Sequence, residues 1–168
     1  MDTKALGLAL LTAFAFCFAS LAEDCCGAPR CSHPPAHGGS FNVVGSCETG
    51  HAEAKVEGGT LKVWFTGSCC ELKKPARLKD SEIRLAVEIP GEGKARELVL
   101  KAKPLTLAGE KDGDSSYFEG KADWLASAKK FTASTKLKFQ GSEIDFKIIW
   151  PEGNDTDDDD VKDKKEAK

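Results

Sequence analysis

The stretch EIRLAVEIPGEGKARELVLK, residues 82–101, decides the fold. Ile83, Leu85, Val87 and Ile89 alternate with Glu82, Arg84, Ala86 and Glu88, a period of two that suits a strand with one buried face. Pro90-Gly91-Glu92-Gly93 supplies a turn, and residues 95–101 resume the pattern with Leu98 and Leu100 on one face. The two runs predict a β-hairpin.

The same signature recurs on both sides. HAEAKV at 51–56 and LKVWF at 61–65 flank Glu57-Gly58-Gly59-Thr60, and the runs 132–139 and 143–150 flank Gln140-Gly141-Ser142, so each pair predicts another hairpin. Phe41 to Val44 reads as a short strand. Pro104 to Ala108 reads as an edge strand, since a proline cannot donate to a ladder. Residues 111–115 form a turn into Ser116-Tyr117-Phe118-Glu119, and residues 122–128 are the one expected helix, of one or two turns. Seven or eight short strands at regular spacing predict an all-β fold over residues 41–150: an antiparallel β-sandwich, immunoglobulin-like in outline. Trp64 and Trp150 are candidates for its core or edge, with an aromatic ligand platform as the sharper alternative.

The ends of the chain have different compositions. Met1 to Ala22 carries Lys4, a long apolar run and Ser20-Leu21-Ala22, the pattern of a signal peptide cleaved before Glu23. Its apolar part is shorter than the roughly 20 residues of a membrane span, so the expected mature protein is exported, periplasmic or extracellular, and does not span a membrane. Residues 151–168 hold eight acidic and four basic side chains and read as a disordered acidic tail. Asn154-Asp155-Thr156 within it matches the glycosylation acceptor pattern. With the tail at −4 and the whole chain at −3, the remainder is nearly neutral and has no basic, aromatic-studded patch for nucleic acid.

The chemistry-bearing residues crowd into the lead-in, residues 23–40, and just beyond it. Four of the seven cysteines and all three histidines lie between Cys25 and His51. Pro34-Pro35 excludes a helix there. Cys25, Cys26, Cys31, His33, His37 and His51 are the candidate metal ligands, because thiolate and imidazole are the donors that copper and zinc prefer, and they predict one Cu(I) or Zn(II). An oxidising compartment favours disulfides instead, and the six cysteines left after signal cleavage allow 15 pairings. Cys25-Cys26 and Cys69-Cys70 are vicinal pairs whose internal bridges would be strained, which leaves outside pairing, metal binding and thiol redox chemistry all open. No nucleophile elbow, phosphate loop, dinucleotide fingerprint or zinc-protease helix is present, so no catalytic residue is assigned and an enzyme is not expected.

HGG at 37–39, followed by HAEAKV at 51–56, LKVWF at 61–65 and SYFEG at 116–120, resembles small exported bacterial β domains that begin with a His-Gly-Gly segment and often accompany heavy-metal efflux or binding proteins. The resemblance covers about residues 36–150, one domain in extent. It implies an envelope setting and a metal connection, without a reaction. His37, Gly38, Gly39, His51 and Glu53 match its pattern, whereas the Cys-rich lead-in and Cys69-Cys70 lie beyond it. Two classes of function follow: a metal-binding or metal-associated envelope module, whose partner is a metal ion or an envelope protein, and a disulfide-stabilised structural or interaction domain without metal or catalysis.

Overall fold

The computed structural model describes residues 34–155. Its strands in chain order are β1 (Ser40–Val43), β2 (His51–Glu57), β3 (Thr60–Thr66), β4 (Glu82–Glu88), β5 (Arg96–Ala102), β6 (Tyr117–Lys121), β7 (Phe131–Phe139) and β8 (Ser142–Trp150). The three expected hairpins are present as β2–β3, β4–β5 and β7–β8, all antiparallel. In β4 the alternation is complete: Ile83, Leu85 and Val87 are buried and the residues between them are exposed.

All eight strands belong to one sheet, in the order β1-β2-β3-β6-β5-β4-β7-β8. Instead of two facing sheets, the chain forms a continuous antiparallel sheet that curls until its two outer strands meet. Strand β6 makes the difference, pairing with β3 on one side and with Lys101 and Ala102 of β5 on the other. At the seam Val44 bridges to Phe146, and the buried Asn42 side chain accepts a hydrogen bond from Ile149 N at 2.8 Å. The result is nearly a barrel. A sandwich and a barrel both bury one face of every strand, so alternation alone does not separate them.

The interior is filled by phenylalanine. Phe65 of β3 packs edge-on to Phe118 of β6 at 5.8 Å, and also against Phe139 of β7 at 6.3 Å and Phe146 of β8 at 5.5 Å. Phe118 is on the neighbouring strand, but Phe139 and Phe146 sit far along the strand order, which requires the sheet to wrap around Phe65. Eight strands enclose a space that side chains can fill completely.

Two connections differ from expectation. Residues 104–108 are not a strand; Thr106–Ala108 is a 3-10 turn that ends at Gly109 and leaves Leu107 fully exposed. The expected helix is the 3-10 turn Asp123–Ala126, whose Leu125 is buried against the core while Arg96 lies over the Trp124 ring at 5.3 Å.

The C-terminal boundary also differs for the part that is described. Gly153 N donates to Ile149 O, and Asn154 N donates to Phe41 O, so Pro151 to Asp155 fold back over β1. Asn154 Oδ1 accepts from Val43 N at 2.7 Å and its Nδ2 donates to Lys147 O at 3.2 Å. An asparagine that bonds through both ends of its amide is a structural clamp. The rest of the expected acidic tail and the expected signal peptide lie outside the described residues.

Candidate functional site

The site is built on the outer face of β2. Ala52 and Ala54 point into the core, which turns His51 and Glu53 outward, beside Thr66 and Trp64 of β3. Outward does not mean exposed here: Glu53 retains only 2% of its accessible surface. The chain just ahead of β1 covers it. A turn closed by Gly38 N to Pro35 O reverses the backbone at 35–38, and Gly39 then lies so near β2 that a Cβ there would come within 2.3 Å of Ala54 O. Only glycine allows that approach.

The Glu53 carboxylate takes three bonds from this segment. Its Oε1 accepts from His37 N at 2.8 Å and Gly39 N at 2.9 Å, and its Oε2 lies 2.8 Å from His37 Nδ1. A carboxylate only accepts, so the imidazole proton on that side belongs to Nδ1, and the neutral ring carries its lone pair at Nε2. His37 is 44% exposed, in contrast to its partner.

The ring plane is set by stacking. His37 lies parallel to Trp64, with centroids 3.9 Å apart and planes 3° apart, and the other side of Trp64 stacks on Tyr117 of β6 at 5.0 Å. Trp64 thus has neighbours on both faces and offers no open platform to a planar ligand. Tyr117 donates through its hydroxyl to Glu119 Oε2 at 2.8 Å. Burial first, and then this bond to a carboxylate, push the phenol well above its ordinary range, while the same bond holds Glu119 below the usual carboxylate value.

His51, two residues before Glu53, has a different setting. It is 1% exposed, with Nδ1 3.4 Å from Gly67 O, Nε2 3.6 Å from Asp155 Oδ2 and the ring edge toward Phe41. Both nitrogens face protein oxygens, so a metal would have to displace one of them. His37 and His51 share the outer face of β2 without sharing a partner.

Cys25, Cys26, Cys31 and His33 lie outside the described residues. Among the described residues there is no group of three or more His, Cys, Asp or Glu arranged to hold a metal. The later cysteines do converge: Cys69 N donates to the Cys47 carbonyl at 3.2 Å, Cys69 is buried, and Cys70 is disulfide-bonded. No helix among the described residues is long and apolar enough to cross a membrane.

Periodicity alone gives no sign of the Glu53, Trp64 and Tyr117 roles. Glu53 enters the sequence reading only through the His-Gly-Gly resemblance, and the Trp64–Tyr117 stack depends on β3 pairing with β6, more than 50 residues away in the chain. No protein-family model matches this chain, and no curated protein or solved structure matches it.

Proposed function

We propose that this chain is an exported metal-binding module of the cell envelope, taking one Cu(I) or Zn(II), with His37 Nε2 as one ligand. The observation that carries the reading is the pairing of His37 Nδ1 with the buried Glu53. An imidazole whose far nitrogen donates to a carboxylate is held in the tautomer and orientation that a metal at Nε2 needs, and the carboxylate makes that nitrogen a better donor. Glu53 supports the ligand without being one, since both its oxygens are occupied. Cys31 and His33 precede His37 by six and four residues in the sequence and are the preferred further ligands, and Cys25 and Cys26 are additional thiolate candidates.

The test is a Zn(II) titration of the full chain with its thiols kept reduced. One ion per chain is expected, with affinity falling about 10- to 100-fold in Glu53→Gln, the usual effect of losing a ligand's supporting hydrogen bond. His37→Ala should weaken binding further. Stoichiometric binding that ignores both substitutions would overturn the assignment of His37.

A second reading has its own support. The disulfide at Cys70 and the convergence of Cys47 with Cys69 favour a disulfide-stabilised structural or interaction domain. Three disulfides and no metal uptake on the exported protein would select it.

A further inference from the structure

We infer that the barrel wall parts locally between β4 and β7, and that two facing cations hold this joint short. The inference is independent of the metal reading. β4 and β7 run side by side, yet only Ala86, Val87 and Glu88 find partners, at Ser134, Ala133 and Thr132. Residues 82–85 pair with β5 alone, and residues 135–139 with β8 alone. Between them lies a cavity of about 290 Å³, with Ile83 and Arg84 on one bank and Lys136 and Leu137 on the other.

Charge explains where the ladder stops. Continuing the register beyond Ala86 and Ser134 would set Arg84 opposite Lys136, both on the outer face of the sheet. Like charges directly opposite one another destabilise a strand pair. Each cation is engaged within its own hairpin instead: Arg84 with Glu82 at 2.6 Å and Glu97 at 3.2 Å, Lys136 with Glu143 at 3.4 Å and Asp145 at 3.8 Å. Among the described residues no side-chain hydrogen bond or ion pair crosses the split. The other short joints are reinforced. Lys103 ties β5 to β6 through its N–H to Tyr117 O at 2.9 Å and its ammonium to Glu119 at 3.4 Å. Asn42 and Asn154 fasten the seam of β1 and β8. Beyond its short ladder, the β4–β7 joint is held by apolar packing of the buried Ile83 and Leu137. Parting there breaks few main-chain bonds, which makes it the local opening of lowest free energy in the wall.

The experiment is amide hydrogen exchange on the full chain, comparing residues 86–88 and 132–134 with residues 61–65 of β3. The amides that join β4 to β7 should exchange at least about tenfold faster than those of β3. Salt screens the facing cations, so raising sodium chloride from about 0.01 M to about 1 M should slow the joint about two- to fivefold relative to β3. Arg84→Thr and Lys136→Thr each remove one of the facing charges; each should slow the joint by a similar factor at low salt and abolish its response to salt. Glu82→Lys adds a cation on the same bank, opposite Lys138 in the continued register, and should speed the joint. Circular dichroism of each variant checks that the barrel is intact. A joint that exchanges no faster than β3 would overturn the local opening. A joint that opens but responds neither to salt nor to the threonine variants would overturn the role of Arg84 and Lys136.

Discussion

Asn154 and Val43 lie 111 positions apart in the sequence and share a 2.7 Å hydrogen bond from the Val43 amide to the Asn154 side chain. With Asn154 N on Phe41 O, the pair gives β1 a substitute strand partner on the side away from β2. Asn154→Ala should therefore cost about 1 kcal/mol or somewhat more, from a half-buried amide left without its acceptor. Gly153→Ala should cost more, because Gly153 has φ +80° and its added Cβ would meet Phe41 O at 2.3 Å. Urea denaturation measures both. Cutting the chain after Asp155 should leave the midpoint close to that of the full chain, whereas cutting after Glu152 should lower it; equal midpoints would rule out the clamp.

Glu110 predicts an acid-sensitive loop. It is buried, and its carboxylate accepts from Leu105 N at 2.9 Å, Ser115 Oγ at 3.4 Å and Ser116 Oγ. Burial raises its pKa, but the bonds from Leu105, Ser116 and Ser115 outweigh it and hold the group below its ordinary 4.5. A depressed folded value stabilises the protein above the unfolded pKa, and that contribution disappears as pH falls through the folded value. Glu110→Gln should flatten the loss of stability below about pH 4.5, as measured by chemical denaturation across pH. An unchanged slope would remove Glu110 from the acid response.

Leu107 and Phe118 make a contrast that exposure decides. Leu107 is fully exposed at 105% of its reference surface, and Phe118 is 0% exposed within the barrel. Leu107→Ser should change the unfolding free energy by less than about 0.5 kcal/mol, as for surface sites in general. Phe118→Ala should cost about 3–5 kcal/mol through lost burial and a residual cavity. A large loss at Leu107 would mean that the turn packs against something.

The Trp64 sandwich predicts a role in aiming His37. Trp64→Leu removes the ring that fixes the imidazole plane but leaves the Nδ1 to Glu53 bond in place. Zn(II) affinity should fall, by less than in Glu53→Gln, while the far-UV spectrum is retained. Affinity equal to the parent would assign orientation to Glu53 alone.

Three hairpins and the short strand β1 were legible in the sequence because each is local. Ile83, Leu85 and Val87 repeat with the pleat, and turn residues such as Gly58-Gly59 and Gly141 mark where the chain reverses. The 3-10 turn at 106–108 was not legible as such: Leu105, Thr106 and Leu107 look like a strand until Glu110 bonds to Leu105 N and Arg77 takes the Ala108 and Gly109 carbonyls.

By itself the sequence determined that this protein is antiparallel β, that three pairs of neighbouring strands fold as hairpins, and that its soft-ligand residues crowd ahead of them. Only the tertiary structure decided how the hairpins join. The insertion of β6 between β3 and β5, the closing of β1 on β8, and the covering of Glu53 by His37 and Gly39 are contacts between distant parts of the chain. Alternation reports which face of a strand is buried and says nothing about what buries it. Glu53 therefore reads as a solvated carboxylate in a polar position of β2 until the fold lays a histidine and two backbone amides across it.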